Sequence, residues 1–273
     1  MEYKIQNRKS IGFTLKEIIH YRELFVIFAW RDLRLKYRQT FLGFAWVVLQ
    51  PIIMMIIFTV IFSHRINISS SELPYPVFVF AGLIIWGIFS QGITTSSNSL
   101  ITQAHVIKKT YFPRIILPVS SILVSAVDFL ASILLLIPLL IIVPSQVHIP
   151  RLLVYMLCAF FLAMIPTIGI GILLAGLNVR YRDVKFVVPF FLQIMLFISP
   201  VIYPMDISAV KGFHWIMQLN PLSGAIEMMR AAVSLHTGPD WIVVVTGLGV
   251  SVLIMAFSLF IFGRMQKNFA DIA

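Results

Sequence analysis

The chain has 273 residues, 59% of them hydrophobic and only 12% charged, and its mean hydropathy is +0.95. Soluble domains carry roughly 25% charged residues, so this composition excludes an ordinary globule and indicates a polytopic membrane protein. The net charge of +10 sits in short loops between apolar runs rather than on one soluble face, which favours a membrane over a nucleic-acid partner.

The first forty residues are polar and basic. They lack the short apolar core and small-residue cleavage site of a signal peptide, so insertion is expected to rely on the spans. Residues 14–38 are predicted to form an amphipathic helix. Leu15, Ile18, Ile19, Val26, Ala29, Trp30, Leu33 and Tyr37 recur at i, i+3, i+4 on one face. Arg31, Arg34 and Arg38 line another. Such a helix lies in the membrane interface with its basic side toward phosphates or a partner; a simple anchor is the plainer alternative.

A spanning helix takes about 20 apolar residues. Six such runs follow, over 41–62, 76–96, 115–143, 152–177, 186–203 and 241–262. The third contains Pro118 and Pro138, and the fourth Pro166 with Gly169 and Gly171. Internal Pro and Gly are tolerated where neighbouring helices satisfy the freed backbone groups. Small residues in "IGIGILLAG" (168–176) permit close helix approach. Between the fifth and sixth runs, 204–240 holds apolar stretches too short to span (213–219 and 225–233), separated by the turn signal "NPLSG". Two short re-entrant helices are expected there, covered by protein or lining a water-filled cavity. The predicted fold is therefore all-α and polytopic, with six transmembrane helices, an N-terminal interface helix and two short re-entrant helices.

Segments 1–40, 97–114, 178–185 and 263–273 hold 17 of the 21 Lys and Arg. The positive-inside rule places these segments, and both termini, in the cytoplasm. The expected organisation is an N-terminal region over 1–40, a membrane domain over 41–263 and a tail over 264–273.

Several chemistries lack support. There is no G-x-x-x-x-G-K-[ST] phosphate loop and no G-x-S-x-G elbow. The six His are scattered without metal-ligand spacing. The single Cys158 lies in an apolar run and reads as a buried hydrophobe. An enzyme, a resident metal and a cofactor are not expected. Asp128, in "SAVDFLAS", is an ionisable residue within a span. Such a residue marks a substrate path or proton site, or else pairs with a group on a neighbouring helix. Phe58 with Phe62 and Trp86 with Phe89 stand at spacings of four and three. They are packing residues, or they line a channel and stack on sugar rings.

The cytoplasmic side carries three dense clusters, "RDLRLKYR" (31–38), "HVIKKTYFPR" (105–114) and "NVRYRDV" (178–184), each beside a span. Anchoring alone asks for a Lys or two per loop. Interleaved Tyr and Asp suit a protein contact instead, where Tyr and Arg are favoured.

These clusters belong to a longer pattern. "WRDLRLKYRQTFLGFAWVVLQP" (30–51), "KKTYFPR" (108–114), "NVRYRDV" (178–184), "ISPVIYP" (198–204) and "LNPL" (219–222) occur in an order that resembles the permease subunit of ABC-2 type exporters of polysaccharides and polyol phosphates, especially the O-antigen (lipopolysaccharide) branch. The resemblance spans nearly the whole chain. It implies a homodimer of permeases working with two separate ATP-binding cassette subunits, which bind ATP and Mg²⁺. It implies a coupling element at Lys108, Lys109, Tyr111, Phe112 and Arg114, and a second ATPase-facing loop at Arg180, Tyr181, Arg182 and Asp183. It implies an outer gate at the paired short helices, around Tyr203, Asn220 and Pro221. The implied substrate is a glycan on a polyprenyl-diphosphate lipid in the cytoplasmic (inner) membrane. Arg31, Arg34 and Arg38 are placed to meet that diphosphate, since the guanidinium fork binds oxyanions bidentately. Teichoic-acid or capsule export are the near alternatives. An ion-gradient carrier resting on Asp128, or a membrane scaffold docking a cytosolic enzyme, are more distant ones.

Overall fold

The computed structural model describes residues 21–38, 44–62, 73–110, 112–142, 148–181, 183–205, 214–234 and 238–266. Among them are ten helices and no strand: α1 (Arg22–Arg38), α2 (Phe44–Phe62), α3 (Tyr75–Thr102), α4 (Ala104–Lys109), α5 (Ile116–Ile142), α6 (Ile149–Arg180), α7 (Val184–Ile198), α8 (His214–Gln218), α9 (Ser223–Val233) and α10 (Trp241–Met265).

Local chemistry sets the helix starts. Pro occupies the first turn of α3 and α6, where its missing N–H breaks no intrahelical bond and its fixed φ suits the helix. Asp240 caps α10 by accepting from Ile242 N at 2.9 Å, satisfying one of the four orphan donors at that end. Pro118 falls in the first turn of α5, where it is harmless, whereas Pro138 and Pro166 lie inside α5 and α6.

Five helices, α2, α3, α5, α6 and α10, are long and apolar enough to cross a membrane. The fifth predicted span is shorter than its hydropathy suggested. α7 has 15 residues, or about 22 Å, against a hydrocarbon core of about 30 Å. Its chain leaves the helix at Ser199, and residues 199–203 form a turn.

α3 is the central helix. Within its most apolar window 72% is buried in protein, against 6% for α2. It packs on α5 and α6, and α6 packs in turn on α10 and α9. The 168–176 stretch makes this possible. A Cβ on Gly171 would stand 2.9 Å from Ser96 Oγ on α3, and one on Gly169 would stand 2.9 Å from Met255 Cα on α10. Hydrogen at these two positions lets α6 approach neighbours on two sides.

Two short helices flank the "NPLSG" turn. α9 is no surface feature: apart from Glu227 it is buried throughout, against α3, α6 and α10.

α1 buries one face against the bundle and turns another outward. Phe28 is buried, and Leu24, Phe25, Asp32 and Lys36 are partly covered, whereas Val26, Ile27, Trp30 and Leu35 point outward at 50–65% exposure. Phe28, with Leu24 and Phe25, packs into an apolar cluster, and polar groups of the sequence motif add to that hold.

Candidate functional site

One end of the bundle gathers the charged motifs. α3 ends at Thr102, a single buried residue (Gln103) makes the joint, and α4 begins. None of the residues of α4 is buried. Lys108 and Lys109 stand exposed in its last turn, where cations complement the helix dipole. The chain then turns inward. Phe112 is 4% exposed, and its ring centroid lies 5.6 Å from that of Phe28 on α1. Leu100, Ile116, Ile172 and Phe262 complete this second apolar cluster. Arg114 donates from Nη1 to the carbonyl of Gln266 at 2.9 Å, tying the loop to the end of α10.

The 178–183 loop is fixed from beneath. Asn178 is buried and donates from Nδ2 to Ser97 O at 2.8 Å and Asn98 Oδ1 at 3.3 Å, both on α3. Beyond it Arg180, Tyr181 and Asp183 are exposed, with the Arg180 guanidinium 5.3 Å from the Tyr181 ring. Tyr111 and Arg182 lie outside the described residues, as does the side chain of Arg38.

α1 reaches from this end into the bundle along α5. Asp32 accepts from Ser121 Oγ at 2.8 Å, pairs with Arg31 at 2.8 Å and lies 3.5 Å from Gln103 Nε2. One turn on, Lys36 forms an ion pair with Asp128, and Tyr37 donates to the second Asp128 oxygen at 2.6 Å. Asp128 is twelve residues into α5, about 18 Å along its axis. Burial, with the hydrogen bond to Asp128 and then its charge, pushes the Tyr37 hydroxyl above its ordinary pKa, so it stays a donor. The partners of Asp128 therefore come from α1 rather than from another span. Of the three arginines assigned to a lipid diphosphate, Arg31 is engaged by Asp32 and Arg34 is exposed over Trp30.

Lys36 and Asp128 border a cavity of about 310 Å³, together with Trp46, Gln50, Trp86 and Gln91. Its wall draws on α2, α3, α5 and α7. Of the four aromatics singled out in the sequence, Trp86 faces this cavity. Phe89 is fully buried and packs tilted against Trp86 at 5.7 Å, and Phe58 is buried beside the partly covered Phe62 at 6.2 Å.

The turn after α7 is stapled to the other short elements. Arg230 on α9 is 7% exposed. Its Nη2 donates to Pro200 O at 2.6 Å and Val201 O at 3.1 Å, and its guanidinium lies 3.5 Å from the Phe78 ring centroid. Tyr75 donates to Ile202 O at 3.1 Å, and Tyr203 to Phe197 O. Asn220 donates to Ser199 Oγ and accepts from Leu222 N, each at 2.9 Å, while the Pro221 carbonyl accepts from Ser251 at 3.2 Å. Tyr203, Asn220 and Pro221 thus belong to one hydrogen-bonded assembly around "ISPVIYP" and "LNPL". Asn220 and Pro221 are buried in it.

Lys36, Ser121, Asn178 and Arg230 were not singled out in the sequence. Arg230 carried a usable signal, being a lone cation in "EMMRAAV"; a charge there demands buried partners.

A multi-pass bundle without a metal cluster among the described residues, with an exposed basic helix between two spans, has the form of a membrane transporter subunit. The ABC-2 type transporter family model matches residues 23–233, and the chain belongs to that family. It is 29% identical over 251 residues to the O-antigen export system permease protein RfbA of Klebsiella pneumoniae, covering 92% of this chain and 95% of that one. The Myxococcus xanthus protein of the same name is 27% identical over 262 residues, at 94% and 98% coverage. The polysialic acid transport protein KpsM of Escherichia coli is 25% identical over 207 residues, at 74% and 78%.

Proposed function

We propose that the chain is the channel-forming permease subunit of an ATP-driven exporter that moves polyprenyl-diphosphate-linked polysaccharide, of the O-antigen kind, across the cytoplasmic membrane. Family membership with near-full-length similarity to O-antigen export permeases carries this reading. The polysialic acid transport relative matches less of the chain at lower identity, which favours the O-antigen reading.

In this reading two copies assemble with two ATP-binding subunits, which hold ATP and Mg²⁺. The exposed α4, with Lys108 and Lys109, and the exposed Arg180, Tyr181 and Asp183 meet those subunits, joined by Tyr111 and Arg182. α7 and the turn after it complete a sixth crossing, and the α8–α9 pair closes the outer side. Both termini then lie in the cytoplasm, as the Lys/Arg distribution requires. ATP drives transport by binding one arrangement of the assembly more tightly than another. A gradient-driven carrier is less well supported, because Asp128 is already engaged by Lys36 and Tyr37.

The test is purification of the tagged chain from its native cells in gentle detergent, with mass spectrometry of what accompanies it. A stoichiometric ATPase is expected. Isolation without one, repeated after mild crosslinking, overturns the reading.

A further inference from the structure

We infer that the Lys36–Asp128–Tyr37 cluster is a clasp that must open and close during transport, and that α1 carries movement through it from α4 to the cavity wall. The inference rests on the exporter reading above. It names Lys36 and Asp128 as positioning residues that act through the elements they join.

The contacts of α1 fall on one face, at i, i+4 and i+8. Phe28 meets Phe112, just beyond α4. Asp32 meets Ser121 and faces Gln103, the one-residue joint between α3 and α4. Lys36 and Tyr37 hold Asp128, and Lys36 and Asp128 both line the cavity. A displacement of α4 therefore reaches α1 at its first two contacts. It arrives at the cavity through the third. Val26, Ile27 and Trp30 point away from these three contacts and are exposed.

The chemistry of the third contact is the wrong choice for a static joint. Replacing a buried ion pair by apolar side chains of similar volume is commonly neutral or stabilising, and only removal of one partner is strongly harmful. Ionisable groups along membrane helices are expensive to retain. An ion pair beside a cavity has a property an apolar contact lacks: its members can part into a polar space and re-form in one register. Gln50, Ser90, Gln91 and Ser132 line that space and can solvate the separated charges.

The experiment compares the wild-type complex of permease and ATPase, reconstituted in vesicles, with Lys36→Met combined with Asp128→Leu. Glycan export and ATP hydrolysis are measured together. The double variant is expected to assemble and to hydrolyse ATP within about twofold of wild type, while export falls about tenfold or more, inside the ordinary range of coupling free energies. Export at the wild-type rate shows a static contact and overturns the clasp. A second measurement keeps the question open if that variant fails to assemble. Leu35→Cys and Val124→Cys, which line one cleft between α1 and α5 and leave the Lys36–Asp128 pair in place, are bridged in a Cys158→Ser background with a reducible bis-thiosulfonate linker. Export should stop when bridged and return on reduction; unchanged export in the bridged state again overturns the clasp. Failure of wild type to export or to hydrolyse ATP would instead remove the exporter reading itself.

Discussion

Arg230→Met is the perturbation with the clearest expected size. The methionine keeps an apolar stem against Phe78 but leaves the carbonyls of Pro200 and Val201 without their donor. Each buried unsatisfied carbonyl costs about 1–3 kcal/mol, and the ring contact adds about 2 kcal/mol in a desolvated site. Relief from burying a guanidinium offsets part of this. The net loss is about 2–4 kcal/mol by the same hydrogen-bond arithmetic. For a chain of this size the corresponding fall in Tm is roughly 4–16 °C. Intrinsic tryptophan fluorescence in detergent gives the Tm. Maleimide labelling of Met205→Cys, in a Cys158→Ser background, reports the freedom of the turn. Labelling should accelerate as the staple is lost. Arg230→Lys should fall between, because a single ammonium cannot span both carbonyls and cover the ring as the planar guanidinium does. A Tm within about 1 °C of wild type, where about 2–4 °C per kcal/mol is the norm, with unchanged labelling, would refute the staple.

Gly82→Ala strikes the same turn from the other side. Its Cβ would meet Val201 O at 2.9 Å and Val201 Cα at 3.2 Å, so backbone must shift, at about 1–3 kcal/mol; combined with Arg230→Met the Tm losses should fall short of additive. Phe112→Ala removes the ring beneath Phe28 and should destabilise by about 3–5 kcal/mol, with limited proteolysis showing earlier cleavage between α1 and α2. Arg180→Glu with Arg182→Glu should abolish export while membrane insertion, followed by fractionation, is preserved; normal export in that variant removes the coupling role of the loop.

Much of the fold was legible because apolar runs of spanning length are the strongest signal a sequence carries. The limits of that signal are visible in α7. Hydropathy continues to Tyr203, but the backbone leaves the helix at Ser199, where Pro200 cannot supply the next donor. Composition cannot report that break, and Arg230 takes up the Pro200 and Val201 carbonyls of the turn beyond it. On α1, periodicity marks an apolar face but not what that face meets, because lipid and protein are equally apolar partners. Val26 and Trp30 face outward, and Asp32 and Lys36 face the bundle. The loop at 178–183 was correctly singled out as a charge cluster. Asn178, which anchors it, carries no charge and lies 80 residues from its partner Asn98, and no local pattern joins the two.

The two ends of the molecule follow one physical rule. In lipid, apolar surfaces attract each other weakly, and helices are joined by close packing or by polar bonds. α3, α5, α6 and α10 use the first. Small side chains let their backbones touch, as at Gly171 on Ser96 and Gly169 on Met255, and many short-range contacts of this kind cannot loosen one at a time. α1 and the turn after α7 add the second to apolar packing, at Phe28 on Phe112 and at Val201 beside Gly82. Each is tied by a few charge-assisted bonds, through Asp32 and Asp128 at one end and through Arg230 at the other. A few directional bonds can break and re-form where an interlocked surface cannot. Directional ties thus sit at α1 and at the post-α7 turn, against a frame of four helices joined by close packing. Both polar ties are made to that frame, at α5 through Asp128 and at α3 through Phe78. Movement at either end therefore does not require the frame to deform.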